Sequence, residues 1–532
     1  MLRKKILNIS LIVLALLLFL KIDYRFTEFI GCCGDDHDYY MHAETLALDF
    51  DFDYSNQLLG YENSRFNKNN KIAPIGFIGA GLLAAPFLYL GNAIEIFVEK
   101  YFFEVESLFN LKILFYSFSS IFYLFFTLLL ILRILVILEL KFNVLEVVVI
   151  FAGSGLPYYA FERFSMTHTY EAFMSSLIFY LSIKFYSAKR NQKLYAILLP
   201  LAIAIGLSIR WVNYFFLFIP LIARYLLYRN KSLDYKLTKT ISFYISLLFS
   251  SGIFLFHTKL VYGQYTISPQ FVYGTESDII KFVSSENTYI EFITQTTKNV
   301  FVVLFSQEFG LFWFSPVLFF GFLYLIIIFF TNKTYTIGYK LFLTFSYLQV
   351  LFIVLLWKST ASSYGFRYLF CLIPLSIIIY FDFKSIFSFK FLNKYIILFS
   401  IFSLFSLLFF ETTTGTQLSL EHITNSFGES RRYSQPEYLS GYLFSFFDIN
   451  SYLKIFTTSF LGALSFKMLL NLFGYENLIS MLLYFGLPVD REDFVIYIEQ
   501  VSTIENFKFL LVIFIVFGIV YFTVENIKSN IK

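Results

Sequence analysis

Apolar runs of about 20 residues recur along almost the whole of this 532-residue chain. A single helix of that length and composition spans the hydrocarbon core of a bilayer. The runs leave little room for charge: 58% of the residues are hydrophobic and 15% are charged, against about 25% charged residues in soluble domains. The sequence therefore predicts an all-α, multi-pass membrane protein with about 12 transmembrane helices.

The start of the chain sets the expected orientation. Arg3-Lys4-Lys5 precede an apolar run that continues to about residue 20, and no small-residue cleavage site follows that run. We therefore predict a retained first transmembrane helix rather than a cleaved signal peptide. Basic residues favour the cytoplasmic side, so we expect both termini in the cytoplasm, the C-terminal one because of Lys528 and Lys532.

The second apolar segment, about 72–98, contains Pro74, Gly76, Gly79, Gly81 and Pro86. If it crossed the bilayer, the basic stretches that follow would lie outside, against the positive-inside rule. We therefore expect a broken segment that dips in from the outer face, with a full span as the alternative. Further spans are predicted at about 109–138, 144–160, 173–186, 241–261, 311–330, 342–357, 368–381, 395–410 and 509–522, with a pair centred on Pro200 and Pro220 that brackets Arg210.

The densest group of carboxylates follows the first apolar run, in Gly34-Asp35-Asp36-His37-Asp38-Tyr39-Tyr40. Ionised carboxylates are costly in hydrocarbon, so this stretch is expected in water, and the threading puts it on the outer face. Four of the five histidines and several cations share that face in the same threading. They are His37, His42, His168, His422, Arg210, Lys358, Arg367, Arg431 and Arg432.

Cations on the disfavoured side of a membrane indicate either a bound anion or ion pairs with the acidic stretch. Sugar transfer to a hydroxyl needs a carboxylate that takes a proton, and a cation or metal that stabilises the departing phosphate oxygen. An outer face with both kinds of group, above an apolar body, suits a substrate with a lipid tail and a sugar phosphate. These residues alone do not identify the reaction.

Five segments carry a family resemblance, and they occur in the family's order. They are 34–43 (GDDHDYYMHA), 74–87 (with Pro74-Ile75-Gly76), 166–171 (with Met166, His168 and Glu171), 307–316 (QEFGLFWFSP) and Trp357 followed by Ser363-Tyr364-Gly365-Phe366-Arg367-Tyr368. Together they resemble the GT-C superfamily of polyprenyl-phosphate-sugar glycosyltransferases, in the branch of protein O-mannosyltransferases and aminoarabinose transferases. The resemblance implies a GT-C-like helical bundle over residues 1–410, with juxtamembrane helices in an outer loop at about 22–108.

The resemblance also implies an activity: an inverting glycosyltransferase that moves a sugar from a polyprenyl-phosphate donor to a hydroxyl acceptor on a lipid, glycan or protein. Its active site would lie on the outer, periplasmic side of the plasma membrane. Asp35 would be the base that activates the acceptor, and Asp36 would assist it. Arg367 and Tyr368 would hold the lipid phosphate.

Other positions follow as candidates. His168 and Glu171 would line the cavity, although His168 could instead cap or pack a helix. Tyr39, Arg210 and Lys358 are further substrate-binding candidates, with an interfacial snorkelling role as the alternative for Arg210. The branch usually has Asp-Glu where this chain has Asp-Asp, and Asp36-His37-Asp38 also reads as a metal-binding DxD, so a divalent cation on Asp36 and Asp38 is an alternative; no other cofactor is indicated.

Two other classes compete with the transferase. A transporter or flippase of lipid-linked sugars would place charges and broken helices near the bilayer midplane, often in repeats, whereas these charges gather at one edge. A non-catalytic scaffold leaves the outer cations unexplained. The many aromatic residues are spread along the chain, which indicates lipid-facing bulk rather than a nucleic-acid surface. Residues 411–532 are predicted to form an irregular outer segment and a last transmembrane helix.

Overall fold

The computed structural model describes residues 13–14, 33–59, 69, 71–101, 111–161, 163–187, 191–229, 237–273, 289–306, 310–330, 335–357, 364–387, 389–414 and 473–484. Every regular element in these ranges is a helix, which confirms the all-α prediction for this part of the chain.

The α-helices are α1 (Cys33–Glu44), α2 (Gly79–Tyr101), α3 (Leu111–Ile137), α4 (Val144–Ala152), α5 (Leu156–Phe161), α6 (His168–Ser187), α7 (Gln192–Leu207), α8 (Ile219–Arg229), α9 (Leu237–Tyr262), α10 (Tyr289–Phe305), α11 (Leu311–Phe314), α12 (Pro316–Phe330), α13 (Ile337–Trp357), α14 (Ile373–Ile386), α15 (Lys390–Thr414) and α16 (Tyr475–Tyr484). A π-helical turn, Thr45–Asp49, extends α1, and 3-10 helices occupy Trp211–Leu217, Pro269–Val272 and Arg367–Leu372.

Six helical segments within the described ranges are long and apolar enough to cross a membrane: Gly79–Tyr101, Leu111–Ile137, Trp211–Tyr228, Tyr244–Tyr262, Ile337–Leu355 and Arg367–Ile386. Shorter apolar helices occupy Gln192–Leu207, Thr296–Phe305 and Pro316–Phe330. These lengths and compositions indicate a membrane protein. The predicted total of about 12 spans is not reached by the described helices alone.

Two of the predicted spans are interrupted, which is one reason for the smaller number. The stretch 144–160 divides into α4 and α5 around Gly155, whose φ of +86° suits a glycine. The stretch 311–330 divides into α11 and α12 at Ser315. The two breaks face each other, because the Ser315 hydroxyl donates a hydrogen bond to the Ser154 carbonyl (2.9 Å). Backbone freed by one interruption is thus satisfied by the other.

The prediction that glycine and proline break the second apolar segment is wrong from residue 79 onward. There α2 is one continuous helix of 23 residues with Pro86 inside it. A proline removes one backbone donor from a helix, and neighbouring side chains can compensate. The Tyr123 hydroxyl on α3 donates to the Leu83 carbonyl (3.0 Å), which is adjacent to the Leu82 carbonyl whose usual partner Pro86 removes. By length, α2 is also compatible with the full span that we gave as the alternative.

Helix α1, which carries the acidic stretch, lies between two hydrophobic clusters. Tyr39 and Ala43 belong to the large cluster that forms the main core, whereas Met41 belongs to a smaller one. The smaller cluster comprises Met41, Tyr54, Leu58, Ala73, Phe77, Ile78, Ala204, Phe254, Val261, Tyr262 and Val272. Burial on both sides fixes the rotation of α1 about its axis.

Gly81 allows α1 and α2 to touch backbone to backbone. A β-carbon at position 81 would lie 2.5 Å from the His42 β-carbon and 2.7 Å from the Ala43 nitrogen. Any larger residue would therefore push the acidic helix away from α2. Part of the glycine pattern that we interpreted as helix breaking thus serves close packing.

Several predictions fall outside the described residues. They include the first transmembrane helix apart from 13–14, the last helix at 509–522, most of the segment 411–505, Lys358, His422, Arg431 and Arg432. The division of the chain at residue 410 stays a prediction.

Candidate functional site

Asp36 on α1 makes an ion pair deep in the protein. Its carboxylate accepts hydrogen bonds from the guanidinium of Arg163 and from the hydroxyl of Ser165 (2.7 Å). Asp36 is 1% exposed and Arg163 is 3% exposed. Buried carboxylates persist when a cation and further donors satisfy them, and this one has both. The pair anchors α1 to the turn that precedes α6.

Asp38 and Tyr39 lie further along α1 and face a different part of the protein. The Asp38 carboxylate accepts a hydrogen bond from the backbone N–H of Ile75 (3.1 Å). The Tyr39 ring lies against the α-carbon of Gly76, where a β-carbon would be 2.6 Å from the ring atom Cε1. The extended segment before α2 therefore packs directly on this face of α1.

Glu171, in the first turn of α6, is fully buried and holds three other groups together. It accepts hydrogen bonds from the Thr167 hydroxyl (3.0 Å), from His168 Nδ1 (3.3 Å) and from the Arg210 guanidinium (3.3 Å). An acidic residue in a first turn also benefits from the helix dipole. Arg210 comes from the turn between α7 and the 3-10 helix that follows, as the sequence predicted for that turn.

The ionisation of this cluster follows from burial and charge. Burial alone would raise the pKa of Glu171, but the Arg210 guanidinium and the hydrogen bonds from His168 and Thr167 hold it below its usual value. Burial lowers the pKa of His168 to about 4, although Glu171 favours the charged form. At neutral pH we therefore describe His168 as a neutral ring that donates from Nδ1 to a carboxylate, and Arg210 as the cation that balances Glu171.

Two guanidinium groups approach the ring of Tyr368. The Arg210 guanidinium lies 4.5 Å from the ring centroid, and that of Arg367 lies 5.1 Å from it. Arg367 also donates to the Tyr368 hydroxyl (3.2 Å) and contacts the sulfur of Met166 (3.7 Å). Guanidinium groups over an aromatic face are attracted by the ring quadrupole. Tyr368 therefore connects the two arginines that the sequence singled out.

A cleft of about 530 Å³, counted with its open mouth, lies between α1 and these groups. Its lining residues are Asp38, Tyr39, Ile75, Gly76, Phe77, Arg210, Trp211, Ser268, Pro269 and Tyr368. The space within the walls that a water-sized molecule can occupy is about 70 Å³. The lining thus combines a carboxylate and a phenol from the acidic helix with a guanidinium and a second phenol from far downstream.

Most of the site residues predicted from sequence come together here. Asp38, Tyr39, Arg210 and Tyr368 line the cleft, and a short chain of contacts connects it to Glu171, His168, Arg367 and Asp36. Asp35 lies on α1, but its side chain is outside the described part of the structure, and so is the whole of Lys358. Their assigned roles stay predictions.

The metal alternative gains no support from the donor geometry. Residues two apart on a helix point to nearly opposite sides, and Asp36 and Asp38 have different partners, Arg163 and Ile75. Over the side chains that the structure describes, no group of three or more His, Cys, Asp or Glu residues could hold a metal ion. We therefore derive no role for a metal from these residues.

Sequence reasoning missed several residues that build this site. Arg163 and Ser165 carry no motif, and only their contacts with Asp36 reveal their role. Ser268 and Pro269 lie in the stretch after α9, where the sequence indicated no site residue. Trp211 directly follows Arg210, so a tryptophan beside a predicted outer-turn cation was a signal that could have indicated it.

Comparison with known proteins adds no family to this description, since no protein-family model and no characterised protein matches the sequence.

Proposed function

We propose that this protein is an integral-membrane inverting glycosyltransferase of the GT-C type. It would move a sugar from a polyprenyl-phosphate donor to a hydroxyl acceptor at the outer face of the plasma membrane. One observation supports this above the others: Asp38 and Tyr39 of the acidic helix α1 line one cleft with Arg210 and Tyr368 from far downstream, and Arg367 contacts Tyr368.

The proposed sugar transfer needs a base beside the acceptor hydroxyl and cations beside the leaving phosphate. Position 35 shares a face of α1 with Asp38 and Tyr39, because residues three and four apart on a helix are neighbours. Asp35 is the proposed base, and Asp38 is the carboxylate among the described residues that line the cleft. The acceptor oxygen would attack the anomeric carbon as the bond to the phosphate oxygen breaks, with inversion at that carbon.

Arg210 and Arg367 would hold the phosphate before and after that step. A guanidinium binds phosphate oxygens through two parallel N–H groups and stays protonated at any physiological pH. Arg210 borders the cleft, and Arg367 donates a hydrogen bond to the hydroxyl of Tyr368, which also borders it. Asp36 is buried in its pair with Arg163, so we assign it the positioning of α1 rather than proton transfer.

The test is sugar release from a panel of radiolabelled polyprenyl-phosphate hexoses and pentoses by the purified, detergent-solubilised protein. Asp35→Asn should lower the rate about a hundredfold or more, since a general base contributes about 10²–10⁴-fold. Asp51→Asn, on the exposed stretch after α1, is the matched control and should keep parental activity. Full activity of Asp35→Asn would remove it as the base, and Asp38→Asn then tests the next carboxylate.

The same preparation distinguishes a transferase from a flippase of lipid-linked sugars. A flippase reconstituted in liposomes would move the labelled lipid between leaflets without breaking the sugar–phosphate bond. Movement with no sugar release, across all donors and with lipid, glycan and peptide acceptors present, would overturn the proposed function.

A further inference from the structure

The carbonyl group of Gly76, at the edge of the cleft, accepts hydrogen bonds from two distant parts of the chain. His42 Nε2 on α1 lies 2.8 Å from the carbonyl oxygen, and the hydroxyl of Tyr262 at the end of α9 lies 2.5 Å from it. The two donors approach from different helices. The position of this peptide group is therefore set by α1 and α9 together.

The state of His42 is fixed by its partners. A carbonyl oxygen only accepts, so Nε2 carries the proton, and the neutral ring then accepts at Nδ1 from the hydroxyl of Tyr54 (2.7 Å). Burial lowers the pKa of His42 to about 4, which agrees with a neutral ring at physiological pH. This histidine is fully buried, and both of its nitrogens are used. His42 therefore holds its two partners in place and does not carry protons for the cleft.

The residues just before Gly76 are held in the same way. The Ile75 N–H donates to Asp38, and the Tyr273 hydroxyl donates to the carbonyl of Ala73. Ala73 also belongs to the smaller hydrophobic cluster. The extended segment 73–77, which forms one edge of the cleft, is thereby attached to α1 on one side and to the residues around the end of α9 on the other.

Gly76 connects this held segment to Tyr39 in the wall of the cleft. With no side chain, its α-carbon lies against the Tyr39 ring, and a β-carbon there would come within 2.6 Å of Cε1 of that ring. Tyr39 in turn borders the cleft that Arg210 and Tyr368 also border. A shift of the Gly76 peptide would therefore move the part of the cleft wall that Gly76 and Tyr39 form.

We propose that His42 and Tyr262 are positioning residues that set the width of the cleft by holding the Gly76 carbonyl between them. The kinetic consequence rests on the proposed glycosyltransferase function, whereas the structural consequence does not. A displaced wall weakens the fit of the bound substrate, even when no catalytic group is altered.

The variants follow from the two hydrogen bonds. Tyr262→Phe removes one hydroxyl and keeps the ring, and His42→Leu removes the other donor at similar size. His42→Gln is the conservative variant, because its amide can still donate to a carbonyl. Tyr265→Phe, at an exposed tyrosine three residues beyond Tyr262, is the matched control.

The structural readout is the fluorescence of Trp211, which lines the cleft. The chain has three tryptophans, so Trp313→Phe and Trp357→Phe leave Trp211 as the single emitter. In that background, loss of either donor should raise the acrylamide quenching constant of Trp211 about twofold as the wall loosens. His42→Gln should restore the parental value, and Tyr265→Phe should leave it unchanged.

The kinetic readout is the division of the effect between KM and kcat for sugar transfer. Tyr262→Phe and His42→Leu should raise KM about tenfold with a smaller change in kcat, because they alter the fit of the cleft and not its reacting groups. Gly76→Ala, whose β-carbon would collide with the Tyr39 ring, should act in the same direction.

The outcomes separate the two proposals. If no donor yields sugar in the parent protein, the function fails, and the Trp211 quenching still decides the positioning role. If folded Tyr262→Phe and His42→Leu variants both keep parental quenching, the positioning role is overturned. It is overturned as well if His42→Gln loosens the wall as much as His42→Leu does.

Discussion

The guanidinium of Arg210 lies 4.5 Å from the centre of the Tyr368 ring while it donates a hydrogen bond to the buried carboxylate of Glu171. Arg210 thereby joins three elements: the turn after α7, the first turn of α6 and the 3-10 helix before α14. The carboxylate of Glu171 balances its charge, and Arg210 also borders the cleft. An arginine held in this way is oriented before any ligand arrives.

The first prediction concerns this arginine. Arg210→Gln should lower sugar transfer about a hundredfold, since removal of an oriented charge beside a developing anion typically costs that much. Arg210→Lys should be intermediate, because lysine keeps the charge but loses the planar fork that stacks on Tyr368. Initial rates at saturating and limiting donor measure both effects.

A control must separate the effect of the lost Arg210 charge on sugar transfer from its effect on the stability of the fold. Arg210→Gln leaves Glu171 buried without its cation, which destabilises the fold, so the double variant with Glu171→Gln is needed. The double variant should melt near the parental temperature and still transfer poorly. Lys193→Gln, at an exposed lysine on α7, should change neither property. Parental activity in the double variant would contradict a role for Arg210 in the site.

The sequence predicted the type of fold and the gathering of distant motifs better than it predicted details. Apolar runs indicate helices because the pattern that a helix requires lies within a short stretch of the sequence. For α3 and α9 the predicted and observed helices differ by a few residues. The break at Gly153-Ser154-Gly155 was missed because its backbone is satisfied by Ser315, from a distant segment.

The contents of the site were only partly predictable, for a similar reason. Asp36 was recognised from its acidic surroundings, but its partner Arg163 has no sequence signal that connects the two. Pro86 was interpreted as a helix breaker, because the packing of α2 on α3 cannot be foreseen from residues near the proline. Contacts between helices decide these cases, and periodicity contains no information about them.

The second prediction is that Asp36 stabilises the fold. Asp36→Asn should lower the free energy of unfolding by about 3–5 kcal/mol, because Arg163 would remain buried with no counter-charge. Thermal melting in detergent measures the loss. The double variant Asp36→Asn/Arg163→Met removes the orphaned charge and should recover most of the stability, whereas Glu99→Gln on the exposed side of α2 should have no effect. A strong loss of sugar transfer in the double variant at parental stability would show that Asp36 acts in the reaction.

The third prediction compares two glycines within helices. Gly81→Ala should destabilise the protein by about 1–3 kcal/mol, because its β-carbon meets the backbone of Ala43 at 2.7 Å. Gly252→Ala in α9 is the matched control: no atom lies within 4 Å of a β-carbon built there, and alanine is the better helix former. Gly252→Ala should be neutral or slightly stabilising. Equal melting temperatures for the two variants would contradict the close packing of α1 on α2.

The last prediction concerns the pH dependence of stability. His42 has its pKa lowered by burial to about 4, against about 6.5 in an unfolded chain, so between these values the unfolded state binds more protons. Stability from this group is therefore complete above pH 6.5 and is lost as the pH falls towards 4, by about 3 kcal/mol. His168 also has its pKa lowered to about 4, through burial first, and should contribute with the same sign. Glu171 does not act in that window, because its pKa is held below the usual value and its contribution is lost only at still lower pH.

Chemical unfolding of the wild-type protein at pH 7.0, 5.5 and 4.5 should thus show a steady decline in the free energy of unfolding, and His42→Gln should reduce the slope of that decline. An unchanged slope in His42→Gln would mean that His42 is not buried as a neutral ring.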